Sequence, residues 1–86
     1  MPEISRFFGI IIRMYWADHN PPHFHAYYQE FEAEYNIHTL ELLRGDLPRT
    51  AHRLVMEWAS AHHEELLEDW QLCTEEEPLR KIEPLT

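Results

Sequence analysis

The sequence predicts an α+β domain, a small curved antiparallel sheet of three to four strands packed on one long C-terminal helix. Three observations predict it. Apolar and polar residues alternate with a period of two between His23 and Ile37. The apolar spacing changes to a helical period at about Arg49. Proline, glycine and asparagine residues stand between these blocks as turn signals.

The strands are expected within residues 8–43. Ile10-Ile11-Ile12-Arg13-Met14-Tyr15 begins apolar on both faces, which suits a central strand. Asp18-His19-Asn20-Pro21-Pro22 reads as a turn, because Asp and Asn bond their own backbone and proline offers no ladder donor. Either X-Pro bond there is a candidate for cis geometry. From His23 to Tyr28, residues Phe24, Ala26 and Tyr28 take one face, and His23, His25 and Tyr27 the other. Phe31, Ala33, Tyr35 and Ile37 then alternate with Glu32, Glu34 and Asn36, so the two runs should form a hairpin. A short strand is expected near Leu40 to Leu43, closed by Arg44-Gly45-Asp46-Leu47-Pro48.

The helix is expected over about 49–73. Ala51, Leu54, Val55, Trp58, His62, Leu66 and Trp70 form its apolar stripe, which makes His62 a core histidine. His38 and His63 read as surface residues. The tail, residues 74–86, carries Ile82 to Leu85 as a segment able to dock on the sheet.

Eighty-six residues close around one core, so residues 1–86 form one domain. Eleven aromatics, three of them tryptophan, supply much of its volume. Cys73 is the only cysteine, which excludes an intrachain disulfide and a cysteine-rich zinc site. The apolar run Phe7 to Ile12 is too short for a signal or a membrane span, so a reduced, cytoplasmic setting with no membrane contact is expected.

Net charge is −9, unevenly placed. Residues 1–55 carry five Arg against seven Asp and Glu, a balance of −2, and residues 56–86 carry two basic against nine acidic residues, −7. Charge alone therefore neither indicates nor excludes nucleic acid. The helix itself is oddly charged. Arg49 and Arg53 stand in its first turns and Glu64, Glu65, Glu68 and Asp69 toward its end. That is the reverse of what the macrodipole favours. Either these charges are exposed and screened, or Arg49 and Arg53, one turn apart, hold an anion or an acidic partner surface.

The chemistry-bearing residues gather at the turn. His19, His23 and His25 fall within seven residues, preceded by Asp18. Two functional readings stay open. His19, His23 and His25, with Asp18, are residue types that ligate zinc or another divalent metal. Alternatively, His23 and His25 act as general acid and base, since imidazole titrates near neutral pH. If the first central strand pairs with the second through the turn, Arg13 and Tyr15 share the face of His23, His25 and Tyr27. Arg13 would then hold a phosphate while the histidines move protons, which suits metal-independent cleavage of RNA. The plain alternative is that these rings only pack and hydrogen-bond.

The segments Gly9-Ile10-Ile11-Ile12-Arg13-Met14-Tyr15, Asp18-His19-Asn20-Pro21-Pro22-His23-Phe24-His25-Ala26 and Gly45-Asp46-Leu47-Pro48 resemble the short bacterial family called domain of unknown function 4160. So do Glu57-Trp58, His62, Glu65-Leu66, Trp70 and Ile82-Glu83-Pro84-Leu85. The resemblance covers nearly the whole chain. It implies a small bacterial protein, part of whose family is labelled as the toxin of a type II toxin–antitoxin pair (the DhiT type). It also implies a cognate antitoxin-like partner, and it singles out Arg13, Asp18, His19, His23 and His25. The family's usual glycines after the second and third strands are replaced here by Gln29 and Leu40.

The functional expectation is a toxin-like protein that acts on or binds RNA or a nucleotide through its histidine-rich turn. Its site is Arg13, His23 and His25, with Tyr15, Asp18, Tyr27, Arg49 and Arg53 as binding residues. The rival is a non-catalytic metal-binding module, or an interaction module that uses the acidic C-terminal helix. Homodimerisation through a sheet edge is a third possibility.

Overall fold

The structure is a computed structural model that describes residues 2–16 and 19–86. Its strands are β1 (Glu3–Phe7), β2 (Ile10–Arg13), β3 (His23–Tyr28), β4 (Phe31–Asn36) and β5 (Leu42–Gly45), followed by helices α1 (Arg49–Ala61) and α2 (His63–Thr74). The five strands form one antiparallel sheet in the order of the sequence.

The sheet thus exceeds the expected three to four strands, and the first of them, β1, lies before residue 8. A bulge between Glu3 and Ser5 turns both Ile4 and Ser5 inward, so β1 lacks the two-residue alternation that reveals a strand. Phe8 and Gly9 join β1 to β2 with positive φ at both positions, 48° and 80°. A two-residue hairpin with the twist of its strands requires that geometry.

One face of the sheet carries the core. Ile10, Ile12, Phe24, Ala26, Ala33 and Tyr35 are buried there against Ala51, Val55, Trp58 and Ala59 of α1. The Trp58 ring lies 5.3 Å from that of Phe7 and 6.0 Å from that of Phe24.

The single long helix is replaced by two, because the chain bends at His62 (φ −119°, ψ 28°). The His62 N–H is shared between the carbonyls of Trp58 and Ala59, at 3.1 and 3.3 Å. No proline or glycine marks the bend. Tertiary contacts hold it. The His63 imidazole donates through Nε2 to the Ile37 carbonyl at 2.8 Å, so His63 is not a free surface residue. Beyond the bend, Leu66, Trp70 and Cys73 reach the core. The bend also places Glu64 and Glu65 in the first turn of α2, where the macrodipole favours acid. His62, expected in the core, is half-buried at the bend and bonds Glu65 Oε1 through Nδ1 at 2.6 Å.

The C-terminal segment docks as a strap. The Ile82 N–H donates to the Ile4 carbonyl at 2.7 Å, and the Trp58 indole N–H to the Glu83 carbonyl at 2.8 Å. Asp69 is buried beneath it, with Oδ1 accepting the Arg80 N–H at 2.9 Å. Burial pushes the Asp69 carboxyl above the usual range, opposed by that hydrogen bond. No helix among the described residues is long and apolar enough to cross a membrane.

Gln29 and Leu40 both adopt positive φ, 53° and 61°. The turns therefore keep a left-handed geometry without glycine, at a cost of about 1–2 kcal/mol for each L-residue. Gln29 is exposed, whereas Leu40 is packed against the core. Gln29→Gly should therefore stabilise the chain by about 0.5–1 kcal/mol, after the added freedom of the unfolded glycine is subtracted. Thermal melts should rise by roughly 3–6 °C; an unchanged or lower midpoint would count against the strain. Leu40→Gly should show no such gain, because it also removes apolar contact.

Candidate functional site

The face of the sheet opposite α1 carries the candidate site, and strand register builds it. In the β2–β3 ladder Arg13 stands opposite His25 and Ile11 opposite Tyr27. In the β3–β4 ladder His25 stands opposite Glu34, Tyr27 opposite Glu32 and His23 opposite Asn36. Side chains two apart on β3 share a face, so His23, His25 and Tyr27 project together between Arg13 and the two glutamates.

Ring contacts hold this row. The His23 and His25 centroids lie 5.2 Å apart, and His25 stacks on Tyr27 at 6.3 Å. Tyr15 meets His25 edge-on at 4.7 Å, and Trp70 of α2 lies 5.4 Å from His23. The Tyr15 and Tyr27 hydroxyls share a 2.5 Å hydrogen bond. Burial, with the Tyr15 hydroxyl and the charge of Glu32 adding to it, pushes the Tyr27 phenol up. Tyr27 therefore stays protonated well beyond neutral pH and retains a hydroxyl proton to donate. The Arg13 guanidinium carbon lies 5.2 Å from the Tyr27 ring centre, a cation–π contact. Arg13 Nε is buried with no hydrogen-bond partner among the described residues.

Carboxylates close the other side. Glu34 Oε1 lies 3.8 Å from His23 Nε2, Glu34 Oε2 lies 3.9 Å from Arg44 Nε, and Glu32 Oε2 lies 3.8 Å from His25 Nδ1. His23 Nδ1 lies 2.7 Å from the Pro21 carbonyl, which follows a cis Asn20–Pro21 bond. A carbonyl only accepts, so Nδ1 carries the proton of that hydrogen bond. In the neutral ring the lone pair then belongs to Nε2, the nitrogen that faces Glu34.

The sheet thus brings Arg13, Tyr15, His23, His25 and Tyr27 together. His19 stands at the margin, its exposed ring 6.3 Å from that of His23. Asp18 lies outside the described residues. Arg49 and Arg53 are exposed on α1, across the sheet from this cluster. The residue that sequence reasoning missed is Glu34. Among the described residues, His23, His25 and Glu34 form a group whose potential ligand atoms all lie within 4.8 Å of one another. A signal for Glu34 existed: a hairpin with a two-residue turn at Gln29 and Glu30 sets it opposite His25. Chemically the row offers a cation for a phosphate, hydroxyl and imidazole groups for proton transfer, and donors for a divalent ion.

No curated protein and no solved structure matches the chain. The model of the family described as Domain of unknown function (DUF4160) matches residues 9–71, which span β2 through most of α2 and contain every residue of this site. The chain belongs to that family.

Proposed function

We propose that this chain is a toxin-like protein that binds RNA through the row Arg13–His25–Glu34 and acts on its phosphodiester. The cross-strand placement of Arg13 directly opposite His25, on the face away from the helix α1, carries this reading. Arg13 is held over the Tyr27 ring, and a guanidinium is the side chain suited to hold phosphate oxygens. Cleavage of RNA would move the 2′-hydroxyl proton to a base as the O2′–P bond forms. The departing 5′-oxygen would take a proton as the P–O5′ bond breaks. His25 would accept the first proton; were an ion held by the histidines, hydroxide on that ion would supply the base instead. The Tyr15–Tyr27 hydroxyl pair lies close enough to His25 to supply the second. An antitoxin-like partner of such a chain would act by covering this face.

The test is induced expression in a bacterial host together with RNA binding and cleavage by the purified chain. Arg13→Gln should weaken RNA binding and lower the slope of its salt dependence by about one phosphate contact. His25→Gln should reduce cleavage by about 10²–10⁴-fold, the usual worth of a positioned proton-transfer group. Circular dichroism would confirm that both variants fold. If both still inhibit growth and cleave RNA as the parent chain does, the site is not on this face.

A further inference from the structure

The structure assigns His23, His25 and Glu34 as the protein ligands of one divalent cation of the zinc class. The proposal deepens the reading of this face as a site for RNA, but the ligand set rests on geometry alone. It differs from the expected set of His19, His23 and His25: Glu34, from the neighbouring strand, replaces His19.

Several observations converge. The two histidines are the most buried polar residues of their row, at 5% and 9% exposure, and Glu34 is half-buried beside them. Ligand atoms from all three lie within 4.8 Å of one another, and His23 Nε2 is 3.8 Å from Glu34 Oε1. A tetrahedral ion with bonds of about 2.0–2.1 Å sets its ligands about 3.4 Å apart. The His23–Glu34 pair therefore needs to close by only a few tenths of an ångström. The rest is side-chain rotation on strands whose backbone is fixed by the ladder.

The surrounding groups are those that orient a metal ligand. Metal-bound histidine commonly donates its other ring N–H to a carbonyl or carboxylate, which fixes tautomer and ring orientation. His23 does this through Nδ1 to Pro21, so the Pro-Pro turn serves as the outer support of the ligand. Trp70 packs on the same ring and Tyr15 on that of His25, which keeps both in place. Arg44 lies near the outer oxygen of Glu34 and leaves the inner one facing His23.

Two imidazoles and one carboxylate are a borderline donor set. It suits zinc, or iron and manganese with more open positions, in preference to calcium or magnesium, which favour oxygen ligands. Three protein ligands leave a coordination position for water, the arrangement of reactive rather than purely structural zinc sites. A water so held loses a proton near neutral pH and can take the place of free imidazole as the base. Arg13, opposite His25, then holds the phosphate beside the ion.

The test uses the full chain, stripped of metal by chelation and freed of any histidine tag. Zinc titration by calorimetry should show one equivalent per chain. Cobalt substitution should give the visible absorption of a tetrahedral site. Glu34→Gln, a change at a half-buried position that should leave the fold intact, is expected to weaken zinc binding at least tenfold, and His23→Gln likewise. His38→Ala, an exposed histidine outside the group, should leave it unchanged. Absence of zinc binding would overturn the proposal, as would Glu34→Gln and His23→Gln that fold and bind zinc as the parent does. RNA assays separate this outcome from the wider reading. Cleavage that persists after chelation and in Glu34→Gln removes the metal and keeps the RNA site. Zinc binding with the expected ligand dependence, but no action on RNA with zinc loaded, keeps the metal and removes the substrate.

Discussion

Trp58→Ala should remove a large part of the chain's stability, about 3–5 kcal/mol. Trp58 is fully buried and joins three parts of the molecule. Its ring contacts Phe7 of β1, Phe24 of β3 and His62 at the helix bend. Its indole N–H binds the Glu83 carbonyl and so pins the C-terminal strap. Large-to-small changes at such sites cost about 3–5 kcal/mol. A domain of this size has on the order of 4–13 kcal/mol in total, at about 0.05–0.15 kcal/mol per residue. Urea titration followed by near-ultraviolet circular dichroism would measure the loss. Trp58→Phe keeps the six-membered ring and removes the indole N–H together with the rest of the five-membered ring. It should cost about 2–3 kcal/mol: about 1 kcal/mol for the hydrogen bond, since the freed carbonyl lies on an exposed residue that water can reach, and the rest for the smaller ring. The strap should then become more sensitive to protease while the sheet remains folded. A Trp58→Ala chain that unfolds within 1 kcal/mol of the parent would remove Trp58 from the centre of the core.

The sheet was legible where burial on one face imposed alternation. β3 and β4 read clearly because Phe24, Ala26, Ala33 and Tyr35 meet α1 while their neighbours face away. β1 was not legible, because its bulge turns two successive residues inward and cancels the pattern. The bend between α1 and α2 left no proline or glycine, but it did leave an electrostatic trace. The run Glu64-Glu65 looks misplaced only if one helix continues through it. Read as the first turn of a second helix, it is well placed, so the charge pattern carried the break that apolar spacing concealed. At the site, the shared face of Arg13, His23, His25 and Tyr27 follows from period two and one turn. Glu34 needs one further step, the exact pairing of β3 with β4. A slip of one residue would send it to the other face, so composition alone could not assign it.

Gly45→Ala should detach the edge of the sheet without unfolding the rest. Gly45 has φ +74°, and a Cβ added there would stand 2.1 Å from the Glu32 carbonyl oxygen and 3.2 Å from Ala33 Cα. Both neighbours are backbone, so no side chain can swing aside. The same Glu32 oxygen accepts the Asp46 N–H at 3.0 Å, and Gly45 pairs with Ala33 in the ladder. The substitution therefore meets a left-handed penalty of about 1–2 kcal/mol, a backbone clash and the loss of a hydrogen bond worth about 1 kcal/mol. β5 is an edge strand of four exposed residues, so the cheapest relief is for it to peel from β4. That relief limits the global cost to roughly 2–4 kcal/mol, within the range of strained backbone positions. Hydrogen exchange should therefore quicken at the amides of β5 and at those of β4 that pair with it. The amides of β2 and the β2-facing amides of β3 should remain protected. A variant with wild-type exchange at β5 and an unchanged melting midpoint would mean that the close approach of Gly45 to β4 does not exist. Uniform loss of protection across all five strands would instead show that β5 and the core fold as one unit.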